Sequence, residues 1–344
     1  MDKSKLLNAA KAAAEKTATL AKAAGQKTVE VAKSAEGKTI EIAKNVGGKT
    51  KELAVKSKDA AMDVMDYNGD GKVDIEDIII LGLKTPGVRI NREKFLRKEF
   101  EKKYSSEIID EIVKYNPAHA KITPEECDAI ADEVIKYERN CVSGISAALG
   151  TPGGAAMAAT IPADIIQYYG YILRVMQKLM YLYGFPEIDL EEKEQIFDSV
   201  TLNSLIICLG TMYAVAGANN ALKVMAKGLA TGVEKQLMQK ALTKGTIYPI
   251  VKSVSKWFGV RMTKEVFAGF FKKAIPVVGG VIGGGITFFS FKPCCDRFKA
   301  VVRDTYLSNP DHVESKEEQD ILEGKWEEVE EAEESLNEDL EKEE

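Results

Sequence analysis

Histidine is almost missing: His119 and His312 are the two in 344 residues. Catalysis built on an imidazole acid, base or nucleophile activator is therefore not expected. The five cysteines, at 127, 141, 208, 294 and 295, have no metal-ligand spacing. The chain is too long for a disulfide-stapled scaffold, so free thiols in a reducing cytosol are expected. Cys294 and Cys295 read as small packed residues in preference to lipidation sites. The opening MDKSKLLNAAKAAAEK carries charge at every turn and lacks the apolar stretch of a secretory signal. No strand set is legible, so the fold class is all-α. No catalytic constellation is legible either, and a non-enzymatic protein is expected.

Three long runs have no charge, 141–163, 199–222 and 274–291. Their length approaches the roughly 20 residues of a membrane span. Their composition argues against one. The first is mostly Ala, Gly, Thr and Ser with two prolines, the second holds Asn203, Asn219 and Asn220, and the third is slightly short. Tightly packed helices or a shallow hairpin fit better.

What is abundant is charge, unevenly placed. Residues 1–60 hold thirteen Lys against seven Asp and Glu, while residues 311–344 hold seventeen acids against three Lys. Within the basic head, residues 4–58 repeat every eleven residues: SKLLNAAKAAA, EKTATLAKAAG, QKTVEVAKSAE, GKTIEIAKNVG, GKTKELAVKSK. Eleven residues over three turns places each residue about 98° from the last, so one face persists along the helix. Leu20, Val31, Ile42 and Leu53 lie on that face with alanines and threonines, and Lys16, Lys27, Lys38 and Lys49 form one border. Lys11, Lys22, Lys33 and Lys44 form the other, and Glu30, Glu41 and Glu52 lie opposite. Lysine stems can cover apolar surface while the ammonium groups reach anionic headgroups. The pattern resembles the Lys-Thr-rich repeats of synucleins and, more loosely, lipid-droplet coat and late-embryogenesis proteins. That resemblance implies reversible lipid binding, with Lys16, Lys22, Lys27, Lys33, Lys38, Lys44 and Lys49 as lipid contacts. The acidic tail could fold back on these repeats and mask them.

Residues 66–77 read DYNGDGKVDIED. Asp66, Asn68 and Asp70 fall at positions 1, 3 and 5, and Gly71 at 6 where a turn needs positive φ. Lys72 would offer its carbonyl at 7, Asp74 falls at 9 and Asp77 at 12. This oxygen density suits Ca2+. Asp in place of Glu at position 12 favours weaker Ca2+ binding or tolerance of Mg2+. The stretch resembles an EF-hand loop, especially the dockerin type that closes with Asp. A second, metal-free hand at Tyr115–Glu126 is less favoured than a helix start with Thr123, Pro124 and Glu126 as a capping box.

Beyond Arg92 the periodicity is helical. Leu96, Phe100 and Tyr104 begin it, and Cys127, Ile130, Ala131, Val134 and Ile135 mark a helix expected to end near Arg139–Asn140. Asp164 is expected to N-cap a helix from Ile165 to Tyr183, and Tyr168, Tyr169 and Tyr171 to be core or interface residues. The stretch Pro152-Gly153-Gly154, Ile161-Pro162-Ala163-Asp164 and Tyr183-Gly184-Phe185 resembles the EcsC family. Ile275-Pro276-Val277-Val278-Gly279-Gly280, Gly283–Gly285 and Phe288-Phe289 agree with it further on. The resemblance covers about 92–308 and implies a membrane-associated helical domain without naming a reaction.

The expected layout is an amphipathic repeat helix at 1–59, a single EF-hand-like calcium segment at 60–88, a compact Gly/Ala-rich EcsC-like domain at 89–308 and an acidic tail at 309–344. The expected function is a calcium-binding, cytoplasmic, peripheral membrane protein that contacts anionic lipid and no nucleic acid. The alternative is a lipid-handling protein or hydrolase with a pocket near Asp164.

Overall fold

The computed structural model describes residues 65–150, 155–188, 199–231, 241, 247–261 and 279–322; side chains at 147–150, 155–164, 199, 260–261 and 279–286 are not among those described. All belong to the second of the two units into which the chain divides, Ser57–Glu344. Among the described residues there are ten helices and no strand. They are α1 (Ile75–Lys84), α2 (Arg92–Phe100), α3 (Ser106–Lys114), α4 (Pro124–Gly150) and α5 (Ala155–Leu182). Then come α6 (Ser199–Met212), α7 (Ala218–Ala230), α8 (Tyr248–Arg261), α9 (Gly279–Arg303) and α10 (Lys316–Leu322).

Helix α5 is the centre. From Ile172 to Phe185 nearly every apolar side chain is buried, because α1, α2, α4 and α9 all pack around it. A helix covered on all sides needs apolar residues on all sides, which ILRVMQKLMYLYGF largely supplies. Gln177 donates to the carbonyls of Val88 and Leu173 and accepts from the Ile90 amide. Glycines set the crossing with α1: a Cβ on Gly82 would stand 2.8 Å from Leu173 Cδ1, and one on Gly170 3.1 Å from Val88 Cγ2.

The end of α5 is fixed by backbone geometry. The Phe185 amide returns to the Met180 carbonyl at 3.0 Å and the Gly184 amide to Tyr181 at 3.4 Å. Gly184 adopts φ +94°, and a Cβ there would lie 2.6 Å from the Leu307 carbonyl oxygen. Only glycine suits a left-handed C-terminal cap pressed against another stretch of backbone.

Several sequence expectations shift. The helix expected to end near Asn140 runs on to Gly150, since Val142 and Ser146 continue the buried stripe of Ile135 and Glu138. Its start does carry the capping box: Glu126 N–H donates to Thr123 Oγ1, and Thr123 N–H to Glu126 Oε2. Asp164 is not an N-cap, because α5 begins at Ala155 and carries Pro162 and Asp164 within it. The uncharged run 199–222 is split into α6 and α7 by a turn at Gly217, φ +76°. The segment given to the calcium hand belongs to the main core: Ile78 and Ile79 of α1 are fully buried and α1 lies on α5. Within the segment given to the acidic tail, His312, Glu318 and Ile321 are buried and α10 packs on α7.

Candidate functional site

The acidic loop is the sharpest chemical expectation, and the structure corrects it. Asp66 accepts hydrogen bonds from the amides of Gly69, Asp70 and Gly71. Asn68 Oδ1 accepts from Asp70 N–H at 2.9 Å, and Asp70 Oδ1 from Lys72 N–H at 2.8 Å. Asp74 is the N-cap of α1 and receives the Glu76 and Asp77 amides. Asp77, fully buried, receives the amides of Tyr67, Asn68 and Asp74, which completes a reciprocal capping box with Asp74. Among the described residues no three His, Cys, Asp or Glu gather in a way that could hold a metal ion. The calcium expectation for Asp66, Asn68, Asp70, Lys72, Asp74 and Asp77 is therefore overturned, and magnesium, the EF-hand reading and the calcium-dependent function go with it. The physical reason is that short acids at alternate positions serve equally well as turn and cap acceptors. Asp77, one methylene shorter than Glu, ends in the cap. The expected positive φ at Gly71 is present, at +84°, but it serves the turn.

Next to Asp164, whose side chain is not among those described, the tyrosines face other rings. Tyr168 stands edge-on to Phe291 at 6.2 Å, and Tyr169 edge-on to Phe258 at 6.5 Å. Burial pushes the Tyr168 hydroxyl up to about 12. These rings are core, as their helical spacing suggested.

Two buried charge clusters were not legible in the sequence. Glu138 on α4 has no exposed surface and takes Arg174 Nε at 3.2 Å and Nη2 at 3.1 Å, with Lys178 Nζ also upon it. Arg174 and Lys178 are one turn apart on α5, so the cluster clamps α4 to α5. The second lies at the C-terminal side. His312 Nδ1 is 3.1 Å from Asp304 Oδ1, and Nε2 is 2.9 Å from Glu318 Oε2. Lys223 Nζ reaches Asp304 Oδ2 at 2.7 Å. Both ring nitrogens face carboxylates, so His312 has no free nitrogen to offer a substrate. It joins α7, the end of α9 and α10.

One surface feature stands apart. Phe289 is 77% exposed on α9, with the Phe288 ring 5.6 Å from it. The Arg139 guanidinium lies 3.9 Å from the Phe288 ring centre. The sequence offers a signal here, the uncharged run 274–291, although in sequence its phenylalanines stand out only as part of a family signature. Lys16, Lys22, Lys27, Lys33, Lys38, Lys44 and Lys49 lie outside the described residues.

Compared with known proteins, the chain matches no family model, no curated protein and no solved structure. Among the described residues no helix is long and apolar enough to cross a membrane.

Proposed function

We propose that this protein binds reversibly to anionic lipid surfaces without calcium, at the cytoplasmic face of a membrane. The observation that carries this reading is the eleven-residue repeat at 4–58, with lysines on both borders of one persistent weakly apolar face. A lysine near an anionic bilayer contributes about 1 kcal/mol, so seven of them can hold a helix whose apolar face is too poor in large residues to hold alone. A surface contact needs no spanning helix. The helical domain at 92–308 is the EcsC-like part of this reading, and nucleic acid has no part in it.

Co-sedimentation with vesicles tests it. The full chain is expected to pellet with phosphatidylserine vesicles and much less with phosphatidylcholine, and to be released by salt as the charges are screened. Calcium or chelator should make no difference. Replacing the seven lysines with alanine should abolish pelleting; a full chain that pellets with no anionic vesicle sinks the reading. The acidic tail is the proposed intramolecular mask of the repeats. A chain ending at Leu322 should then bind more tightly, and unchanged binding removes the mask.

A further inference from the structure

The charge cluster on the C-terminal side is complete in one protonation state only. The side chains of His312 and Glu318 are each 2% exposed, while that of Asp304 is half-exposed. The ring places Nδ1 3.1 Å from Asp304 Oδ1 and Nε2 2.9 Å from Glu318 Oε2. A neutral imidazole carries one N–H and one lone pair, and only the imidazolium donates from both nitrogens. With a neutral ring, one of these contacts would set a lone pair against a carboxylate.

The surroundings agree with a cation. Helix α7 contributes Lys223, which reaches Asp304 at 2.7 Å and Glu318 at 3.6 Å, and Lys227, which pairs with Glu314. The stretch after α9 contributes Asp304 and Tyr306, whose ring is edge-on to His312 at 5.1 Å and whose hydroxyl donates to Glu314 at 2.7 Å. The stretch before α10 contributes Glu314, and α10 itself contributes Glu318. Three carboxylates thus face two ammonium groups, and an imidazolium makes the count even. Burial raises the Asp304 carboxyl, but Lys223 and His312 outweigh it and hold it below its ordinary range, so near neutrality it is an anion. Helix α10 has little else to hold it on α7. Its seven residues cannot be stable alone, and beyond the cluster its docking rests on buried Ile321 and the Ser315 cap. A short element near balance, held through a buried histidine, is the form that a pH-dependent switch takes. Docking that needs the proton weakens as the pH rises and the proton leaves.

We propose that His312 is a proton-operated latch: as an imidazolium it holds α10 on α7, and as a neutral ring it releases α10 together with the acidic segment that follows Leu322. The latch goes beyond the lipid-surface reading and does not depend on it. Hydrogen exchange of the full chain, read by mass spectrometry and corrected for the intrinsic pH dependence of amide exchange, tests it at about pH 5 and about pH 8, the window in which an imidazole is the ordinary side chain that changes charge. Protection of the α10 amides should fall about tenfold or more between the two, the scale of one hydrogen bond to a charged group, with the buried part of α5 as the unchanged reference. The His312→Gln variant cannot carry the charge, and its α10 should be loose at both values. Glu318→Gln discriminates most sharply. Its amide can donate to a neutral Nε2 while Nδ1–H stays on Asp304, so its α10 should remain docked at the higher value. Equal protection of wild-type α10 at both values overturns the latch. So does a His312→Gln chain that keeps the wild-type response, since another group would then be titrating. A Glu318→Gln chain that loosens at the higher value as much as the wild type overturns it too. If His312→Gln loosens α5 as well, the wild type and Glu318→Gln decide.

Discussion

At the scale of single residues, burial decides which groups can react. Cys127, Cys208, Cys294 and Cys295 are all buried. Burial pushes the Cys127 and Cys208 thiols up to about 12, and raises Cys294 and Cys295 as well. A thiol held so high offers almost no thiolate near neutrality. Cys141 is half-buried. Native protein treated briefly with iodoacetamide should therefore carry one modification, at Cys141, and Cys141→Ser should carry none; rapid labelling of Cys294 or Cys295 in the folded chain contradicts the packing. Glu138 is the other residue whose surroundings dictate an outcome. Removing its carboxylate leaves Arg174 and Lys178, both mostly buried, facing each other with no countercharge. Glu138→Ala is expected to cost about 3–5 kcal/mol in denaturant unfolding, far more than truncating an exposed glutamate such as Glu133. Gly184→Ala should also destabilise, by about 1–3 kcal/mol, since it strains a positive φ and meets the Leu307 carbonyl.

At the scale of elements, the ends of helices carry much of the specification. The Thr123 amide holds the Glu126 carboxylate down to about 2 from an ordinary 4.5, with Tyr104 and Lys103 adding to it. A carboxylate with a lowered folded pKa contributes stability above its unfolded value and loses it as the pH falls through the folded value. Glu126→Gln should thus melt lower than wild type at pH 7, and the gap should close between pH 4.5 and about 2. A gap that persists at the acid end of that window would mean that the charge is not what caps α4. Helix α10 depends on contacts outside itself, since seven residues cannot be stable alone. Its docking is supplied by His312 between Asp304 and Glu318, by Ile321, and by a cap in which Glu318 N–H donates to Ser315 Oγ. A chain ending at Leu322 should melt like the full protein, and one ending at Asn309 should melt distinctly lower. The sequence pattern of the acidic tail hides this boundary, because a Glu-rich stretch reads the same whether its first helix is docked or free.

At the scale of the whole molecule, periodicity makes the all-α class legible while burial by partners stays invisible. The stripes of Leu96 with Phe100 and of Ala131 with Val134 and Ile135 can be read directly, as can the capping box at Thr123. The continuation of α4 past Asn140 cannot, because a Gly/Ala run with glycines in it is a poor helix by propensity and is held here by α5 and α9. Glu138, His312 and Glu318 look like surface residues in sequence and are buried only because cationic or acidic partners arrive from other helices. The acidic loop misleads for a different reason: its spacing satisfies both a metal and the loop's own amides, and the sequence does not rank them. That ambiguity can be decided thermodynamically. A ligand that binds the folded state at a hundred times its Kd adds about 2.7 kcal/mol of stability, so a calcium site would raise the melting temperature and Asp77→Asn would remove the rise. A capping residue behaves otherwise. Asp77→Asn should lower the melting temperature by the same amount in calcium and in chelator, and the wild type should melt identically in both. A calcium-dependent rise that the substitution abolishes would restore the metal reading and displace the self-capped loop described for 66–77.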